Sequence, residues 1–370
     1  MPGEGTGSPI IVYRHLCRLA NEGWQIHVVA EWGQDDAICR KHGWSVRTLS
    51  HRKPWWPPYH PDQSLSRAVR THLWAGEIRQ WIGGRPDAVL TYLSAFSDTL
   101  SIAAVGFAKR FRVPLTTIHH DDTRCFAKDP AEGERAHRRH QWILENSSKS
   151  LFASPALAAC FQLPVEGVRV LAPIPEGWSE AAAWNAGRGQ GVRIYYAGAL
   201  WPAQFPLLAR LGRALDSIGG RLVVLSRGTP ELRALIEKEP IEWMDLFPSN
   251  REALEHLTEN ASALLVSYAD TVADMPWIAT SFPSKFVEYS HLGLPCAIVA
   301  PRESAIARWA EKAAFPDVFH PDQLDAFTCW AASLKQPEAW SASASSVLTH
   351  ARGEFHPGTI QRHLEESLLG

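Results

Sequence analysis

The residues best suited to chemistry lie in the stretch 281–295, which reads as a loop, a short helix and a stop. Pro283 fits the first helical turn, where its missing N–H costs nothing. Ser281 or Ser284 could cap the start of the helix with a side-chain oxygen. A loop that leads into a helix offers free N–H groups and the positive end of the helix dipole. The stretch therefore predicts an anion site.

Two charged side chains would extend this site towards a larger ligand. Lys285 adds a positive charge near the helix start, and Glu288 lies one turn further along. That carboxylate could bind a neutral polyol such as a ribose. An ordinary helix between two strands is the alternative, and the short pattern alone favours neither interpretation.

A second polar cluster follows a predicted strand at 113–118. His119, His120 and Asp121 come directly after it, and ligands in open α/β sheets bind beyond the carboxyl ends of the strands. His120 and Asp121 could bind hydroxyl groups or move protons. A polar strand end with internally satisfied hydrogen bonds is the alternative.

The elements that must position these residues alternate between strands and helices. This alternation predicts βαβ units and parallel sheets. The stretch 173–191 is rich in Pro, Gly, Ala and Glu, and it predicts a linker between the domains 1–172 and 192–356. The C-terminal helix, 357–370, is expected to pack back on the first domain.

Composition limits the function classes. The chain has 370 residues, of which 45% are hydrophobic, enough for two domains. A net charge of −2 without long runs of one sign argues against a nucleic-acid-binding protein. The six cysteines are scattered, which suits a cytoplasmic protein and gives no zinc signature. We expect neither a signal peptide nor a membrane-spanning segment.

Two further segments have a surface interpretation. The aromatic and basic loop 52–59 could touch a membrane or stack on a sugar, although a loop folded over its own core is favoured. The predicted helix 131–146 carries Arg135, Arg138 and Arg139. A solvated face is the simpler interpretation of these arginines, and contact with an anionic acceptor or membrane is the alternative.

The segment Phe-Pro-Ser-Lys-Phe-Val-Glu-Tyr, followed by Gly-Leu-Pro, resembles the donor-site segment of the GT-B glycosyltransferases, in particular glycosyltransferase family 4. The resemblance implies an α/β fold of two Rossmann-like parallel-sheet domains that face a cleft. The second domain would hold a nucleotide sugar, and the first would hold the acceptor. The implied donor-binding residues are Gly198, Ser281, Phe282, Pro283, Ser284, Lys285 and Glu288. The implied catalytic residues are His120 and Asp121, and the implied acceptor-side residues are Gly5, Thr6, Gly7 and His119.

The chain also departs from the family pattern. Relatives commonly carry an arginine directly after the glycine and a lysine a few residues later, where this chain has Ala199 and, approximately, Gln204. Lys285 and Arg227 could substitute for them. Thr280 stands where many relatives have a first glutamate, which leaves the identity of the sugar open. An apolar strand precedes the glycine loop in relatives, whereas this sequence begins at that loop, so the fold is expected to lack its first strand or to fill the position differently.

The resemblance implies a transferase that moves a sugar from a nucleotide-diphosphate sugar to a hydroxyl acceptor with retention. The acceptor would be a sugar or lipid-linked sugar in surface polysaccharide or glycoconjugate synthesis. No metal or other cofactor would be required, and the enzyme would be cytoplasmic, with peripheral attachment to the inner face of the membrane left open. The alternatives are a nucleotide-sugar epimerase or hydrolase, an inactive scaffold, and a two-lobed binding protein.

Overall fold

The computed structural model describes residues 2–3, 8–31, 36–49, 59–93, 97–177, 182–184, 187 and 191–369. The chain divides into two compact units. Unit 1 contains Met1–Ala172 and Ile360–Gly370, and unit 2 contains Pro173–Thr359.

The described strands of unit 1 form two parallel sheets. One sheet contains β1 (His27–Ala30) and β2 (Ser45–Thr48), and the other has the order β3 (Val89–Leu93), β4 (Leu115–His119), β5 (Lys149–Phe152) and β6 (Val168–Val170). Its helices are α1 (Ser8–Asn21), α2 (Ala37–Lys41), α3 (Ser64–Ile82), α4 (Thr99–Phe111), α5 (Pro130–Glu145) and α6 (Pro155–Ala158). No described strand joins the two sheets.

The core of unit 1 lies between its larger sheet and helices α3 and α4. Trp74, Ile102 and Phe152 are among its fully buried side chains. Helices α3 and α4 pack closely because Gly106 has no side chain, and a Cβ there would lie only 2.3 Å from Cβ of Thr71. The predicted alternation of strand and helix therefore gives a tightly packed α/β layer.

The second segment of unit 1 is tied to the first by buried hydrogen bonds. The Thr116 hydroxyl donates to the Ser367 carbonyl at 2.7 Å. His15 Nδ1 lies 2.8 Å from Gln361 Oε1. Both partners in the second segment belong to helix α14 (Pro357–Leu369).

Unit 2 contains a single described sheet of six parallel strands. Their spatial order is β12 (Val318–Phe319), β11 (Cys296–Val299), β10 (Ala263–Ser267), β7 (Arg193–Ala197), β8 (Arg221–Leu225) and β9 (Ile241–Met244). The helices are α7 (Phe205–Ser217), α8 (Pro230–Ile236), α9 (Asn250–Asn260), α10 (Ser284–Tyr289), α11 (Ala305–Lys312), α12 (Leu324–Ser333) and α13 (Pro337–Glu354).

The chain reverses its direction across this sheet between β7 and β10. It runs outward from β7 through β8 and β9, and then continues from β10 outward on the other side. Neighbouring strands that lead off in opposite directions leave a crevice at their carboxyl ends, and this is where open α/β sheets bind ligands. Gly198 follows β7 there, and the residues 268–283 follow β10.

Helix α10 begins differently from the sequence-based prediction. Pro283 is the residue before the first helical position rather than part of the first turn, and no side chain caps the helix. The predicted caps Ser281 and Ser284 are therefore wrong, since Ser284 is itself the first helical residue. With six residues, the helix has only a small dipole to offer an anion.

Candidate functional site

Lys285 and Gly198 meet in the crevice at the carboxyl ends of β7 and β10. The Lys285 ammonium lies 3.7 Å from the centroid of the Tyr196 ring. A Cβ at Gly198 would lie 3.3 Å from Nζ of Lys285. Gly198 also adopts φ +123°, a backbone conformation that other residues rarely adopt. The glycine therefore leaves room beside the ammonium.

The Lys285 ammonium faces an aromatic ring instead of a carboxylate. Within the described ranges, no ion pair to Lys285 is formed, and the ammonium lies over the face of Tyr196. Burial lowers the pKa of Lys285 to about 7. An anion bound beside it would stabilise the protonated form, so the crevice is electrostatically prepared for negative charge.

Two tyrosines fix the position of this lysine. Tyr196 is 1% exposed, and its hydroxyl donates to the Ala199 carbonyl at 2.6 Å. The Tyr289 hydroxyl donates to the Ala197 carbonyl at 2.8 Å. Because Tyr289 lies one turn after Lys285 on the same helix face, this bond anchors α10 to the end of β7.

Gln204, which stands where relatives carry a lysine, has a structural role. Its amide donates to the Ser267 carbonyl at 2.6 Å and its oxygen accepts from the Trp201 N–H at 2.9 Å. At 1% exposure it cannot reach a ligand. It holds the loop after β7 against the end of β10. Arg227, which together with Lys285 was a candidate to replace the missing family cations, is exposed.

The loop before α10 is anchored by Phe282. The centroid of its ring lies 5.8 Å from that of Trp309 and 5.6 Å from that of Phe355. The Ser281 N–H donates to the Trp277 carbonyl at 2.8 Å, and Pro283 is buried. Of these predicted donor-binding residues, Phe282 therefore packs against its own unit and positions the loop.

Glu288 lies half-buried on the same helix as Lys285. Its Oε1 accepts a long hydrogen bond of 3.4 Å from the amide of Asn250, the first residue of α9. The structure thus brings Gly198 and Lys285 together, with Glu288 one turn further along α10.

In unit 1, His119 points into the core. It is fully buried, and its ring centroid lies 5.0 Å from that of Phe161 and 5.3 Å from that of His140. Burial, together with repulsion from His140, holds the pKa of His119 well below its ordinary value. Its acceptor-side role stays a prediction, one that this position does not favour.

His120 lies beside Tyr92, with ring centroids 5.2 Å apart. Burial and repulsion from His15 lower the pKa of His120 to about 3. A neutral imidazole with so low a pKa is a poor proton acceptor at pH 7. Asp121 is half-buried, and the roles of both residues stay predictions.

Several other predicted residues have a different status. Gly5, Thr6, Gly7 and most of the loop 52–59 lie outside the described residues. Arg135 and Arg139 are paired with carboxylates, Arg139 with Asp98, Asp62 and Glu132, which supports a structural interpretation of that helix.

Two further features concern metal ligands and membrane-spanning helices. Across the described ranges, no group of three His, Cys, Asp or Glu side chains is placed to hold a metal ion. No helix in those ranges is long and apolar enough to cross a bilayer.

Sequence reasoning missed Tyr196, Tyr289 and Trp201. Tyr196 lies within an apolar strand pattern and Tyr289 within the helix pattern, so neither pattern indicates a role beside Lys285. An aromatic residue two positions before a strand-ending glycine is a signal that could have indicated Tyr196.

No protein-family model matches the chain, and no curated protein matches it. Solved structures do match. HepE from Anabaena, in complex with UDP and glucose, is 14% identical with a TM-score of 0.64, over 98% of this chain and 97% of that chain. A glycosyltransferase from Rickettsia africae is 10% identical with a TM-score of 0.67, over 97% of this chain and 93% of that chain.

MurG from Acinetobacter baumannii is 11% identical with a TM-score of 0.55, over 98% of this chain and 96% of that chain. These matches extend over nearly the whole chain at identities that establish the fold alone. Membership of glycosyltransferase family 4 in particular stays a prediction. The chain has the GT-B fold, the two-unit α/β architecture of the glycosyltransferases that it matches.

Proposed function

We propose that the protein is a glycosyltransferase that moves a sugar from a nucleoside-diphosphate sugar to a hydroxyl group of an acceptor. The observation that carries this proposal is the Lys285 ammonium, which lies beside Gly198 at the reversal point of the sheet and faces no carboxylate in the described chain. The GT-B fold supports it, as does the UDP bound to HepE.

The proposed chemistry places the diphosphate beside Lys285. As the bond from the anomeric carbon to the phosphate oxygen breaks, negative charge builds on the leaving diphosphate, and the ammonium stabilises it. Glu288 accepts hydrogen bonds from the ribose. This reaction needs no metal ion or other cofactor, since the cation is supplied by the chain.

The acceptor hydroxyl forms the new bond to the anomeric carbon and must lose its proton. His120, with a pKa of about 3, is a poor recipient, so the leaving diphosphate takes the proton. That route suits a transfer with retention. His120 and Asp121 then bind hydroxyl groups of the transferred sugar or of the acceptor.

The resemblance to family 4 supports the rest of the proposal. The acceptor would be a sugar or lipid-linked sugar in surface polysaccharide or glycoconjugate assembly. The enzyme would work in the cytoplasm, and a lipid-linked acceptor would bring it to the inner face of the membrane.

The experiment is a transfer assay with radiolabelled UDP-glucose, with other nucleotide sugars in parallel, and a panel of sugar and lipid-linked acceptors. We expect label to appear in an acceptor, and Lys285→Met to abolish transfer. Lys312→Met removes an exposed lysine of the same unit and should be without effect.

Other outcomes separate the alternatives. Conversion or hydrolysis of the donor without any acceptor would indicate an epimerase or hydrolase. Nucleotide binding without any turnover would indicate a scaffold.

A further inference from the structure

Two tryptophans in contact, one exposed and the other half-buried, lie on the two loops that border the Lys285 crevice. Trp201 is 43% exposed, an unusual exposure for so large an apolar ring. Its ring centroid lies 4.9 Å from that of Trp277, with an angle of 58° between the planes. We call these two residues the tryptophan pair.

The tryptophan pair sits at the reversal point of the unit 2 sheet. Trp201 lies three residues after Gly198 on the loop that follows β7, and Trp277 lies in the 3₁₀ turn Pro276–Ala279 on the loop that follows β10. The second loop continues into Ser281 and the start of α10. Both rings are therefore carried by the segments that also position Gly198 and Lys285.

Packing on buried side chains and one backbone hydrogen bond hold the two loops that carry the rings. Trp277 packs on a buried cluster formed by Ala269, Met275 and Ile278. The Trp201 N–H donates to Gln204 Oε1 at 2.9 Å, which fixes the backbone that carries the exposed ring. A fixed aromatic ring loses little conformational entropy when a ligand stacks on it.

The distance from the anion site suits the transferred sugar. Three residues of extended chain span at most about 10 Å, so Trp201 lies within that distance of Gly198. A sugar joined to a diphosphate at Lys285 is attached directly to the outer phosphate and falls in this range. Aromatic faces suit the apolar face of a pyranose.

We propose that Trp201 and Trp277 form a stacking platform for the pyranose ring of the transferred sugar. The proposal rests on the proposed function, because it requires a nucleotide sugar in the crevice. Trp201 then discriminates between the nucleotide sugar and the bare nucleotide.

The test compares UDP and UDP-glucose binding by titration calorimetry in the wild type, Trp201→Ala and Trp201→Phe. Leu235→Ala, which removes another exposed apolar side chain of unit 2 at 42% exposure, is the control. We expect Trp201→Ala to weaken UDP-glucose binding about 3- to 10-fold, the range of an aromatic contact. UDP binding should stay within about 2-fold, and Trp201→Phe should retain most of the affinity for the sugar nucleotide.

Three results would overturn the proposal while leaving the nucleotide site intact. The first is unchanged UDP-glucose affinity in Trp201→Ala. The second is an equal loss for UDP and UDP-glucose, which assigns Trp201 a structural role. The third is a raised KM for the acceptor alone, which assigns the platform to the acceptor. If neither ligand, nor GDP and GDP-mannose, binds the wild type, the proposed function fails and the platform fails with it.

Discussion

The two units differ in the space that they leave around a titratable group at the carboxyl edge of a sheet. In unit 2, Lys285 stands beside a glycine, so space remains next to its ammonium. In unit 1, His119 is enclosed by the rings of Phe161 and His140. The carboxyl edge of the sheet thus leaves space beside a titratable group in unit 2, whereas side chains fill the space around His119 in unit 1.

The two groups also differ in what their protonated forms would contact. Burial lowers the pKa of both groups, but Lys285 gains a favourable partner when an anion binds, whereas a protonated His119 would meet other imidazoles. Unit 2 should therefore respond to ligands and to alkaline pH, and unit 1 should respond to acid. The predictions that follow are ordered from the largest expected effect to the smallest.

Acid should destabilise unit 1 through its buried histidines. The pKa of His15 is lowered to about 4 and that of His140 to about 3, so the unfolded chain binds more protons below pH 6.5. Stability is therefore lost as pH falls through this range, by about 2 kcal/mol per histidine at pH 5.

Hydrogen exchange, corrected for intrinsic rates, can measure this loss in β3–β6 and in β7–β12 separately. We expect unit 1 to lose more protection than unit 2, where His291 is a buried counterpart. His140→Phe should reduce the loss in unit 1. Equal loss in the two units, unaffected by His140→Phe, would contradict the comparison.

Gly198→Ala should close the open side of the unit 2 crevice. The new methyl group would lie 3.3 Å from the Lys285 ammonium and displace it, so UDP affinity measured by calorimetry should fall about 10-fold, or about 1.4 kcal/mol. Gly219→Ala is the matched control, because Gly219 also has positive φ but no atom lies near its Cβ position. Equal UDP affinity in both variants would show that the glycine is not needed for space.

Lys285→Met should stabilise the protein while removing the anion site. The folded pKa of about 7 is below the ordinary value for lysine, so the unfolded chain binds more protons between about pH 7 and pH 10.4. Folding therefore carries a penalty that is largest below pH 7 and vanishes above pH 10.4.

At pH 7 we expect the melting temperature of Lys285→Met to rise by several degrees, because the folded wild type carries the cost of the half-buried ammonium. The gain should disappear at pH 10.5. A variant that melts lower than the wild type at pH 7 would contradict the assigned burial cost.

Glu288→Gln should weaken UDP binding by about 5-fold, or about 1 kcal/mol, because a neutral amide accepts weaker hydrogen bonds than a carboxylate. Pyrophosphate, which lacks a ribose, should bind the variant and the wild type equally. Glu303→Gln, at an exposed position, serves as the control. A matching loss for pyrophosphate would place Glu288 at the phosphates instead of the ribose.

The general fold could be predicted from the sequence because its signals are local. The predicted strand at 113–118 corresponds to β4 (Leu115–His119). Apolar runs of this kind need no knowledge of distant partners. Lys285 could also be singled out, since its position at a helix start is local.

The partners of Lys285 could not be predicted. Tyr196 lies far from it in sequence, and only the folded sheet brings that ring under the ammonium. The role of Gln204 could not be predicted either, because its amide donates to the carbonyl of Ser267, which lies on β10. For His119, the direction of the side chain at the strand end determines whether it lies in the core or faces a ligand. The sequence contains no signal for that direction.

The most direct test of the anion site is UDP binding by calorimetry between pH 7 and 9, a range in which the phosphate, with a pKa near 6, stays ionised. We predict that wild-type affinity falls as pH rises, because free Lys285, with a pKa of about 7, loses its proton, and that binding takes up a proton. Lys285→Met should bind about 100-fold more weakly, with no such pH dependence. Equal affinity of the two proteins, or a wild-type affinity independent of pH, would contradict the account.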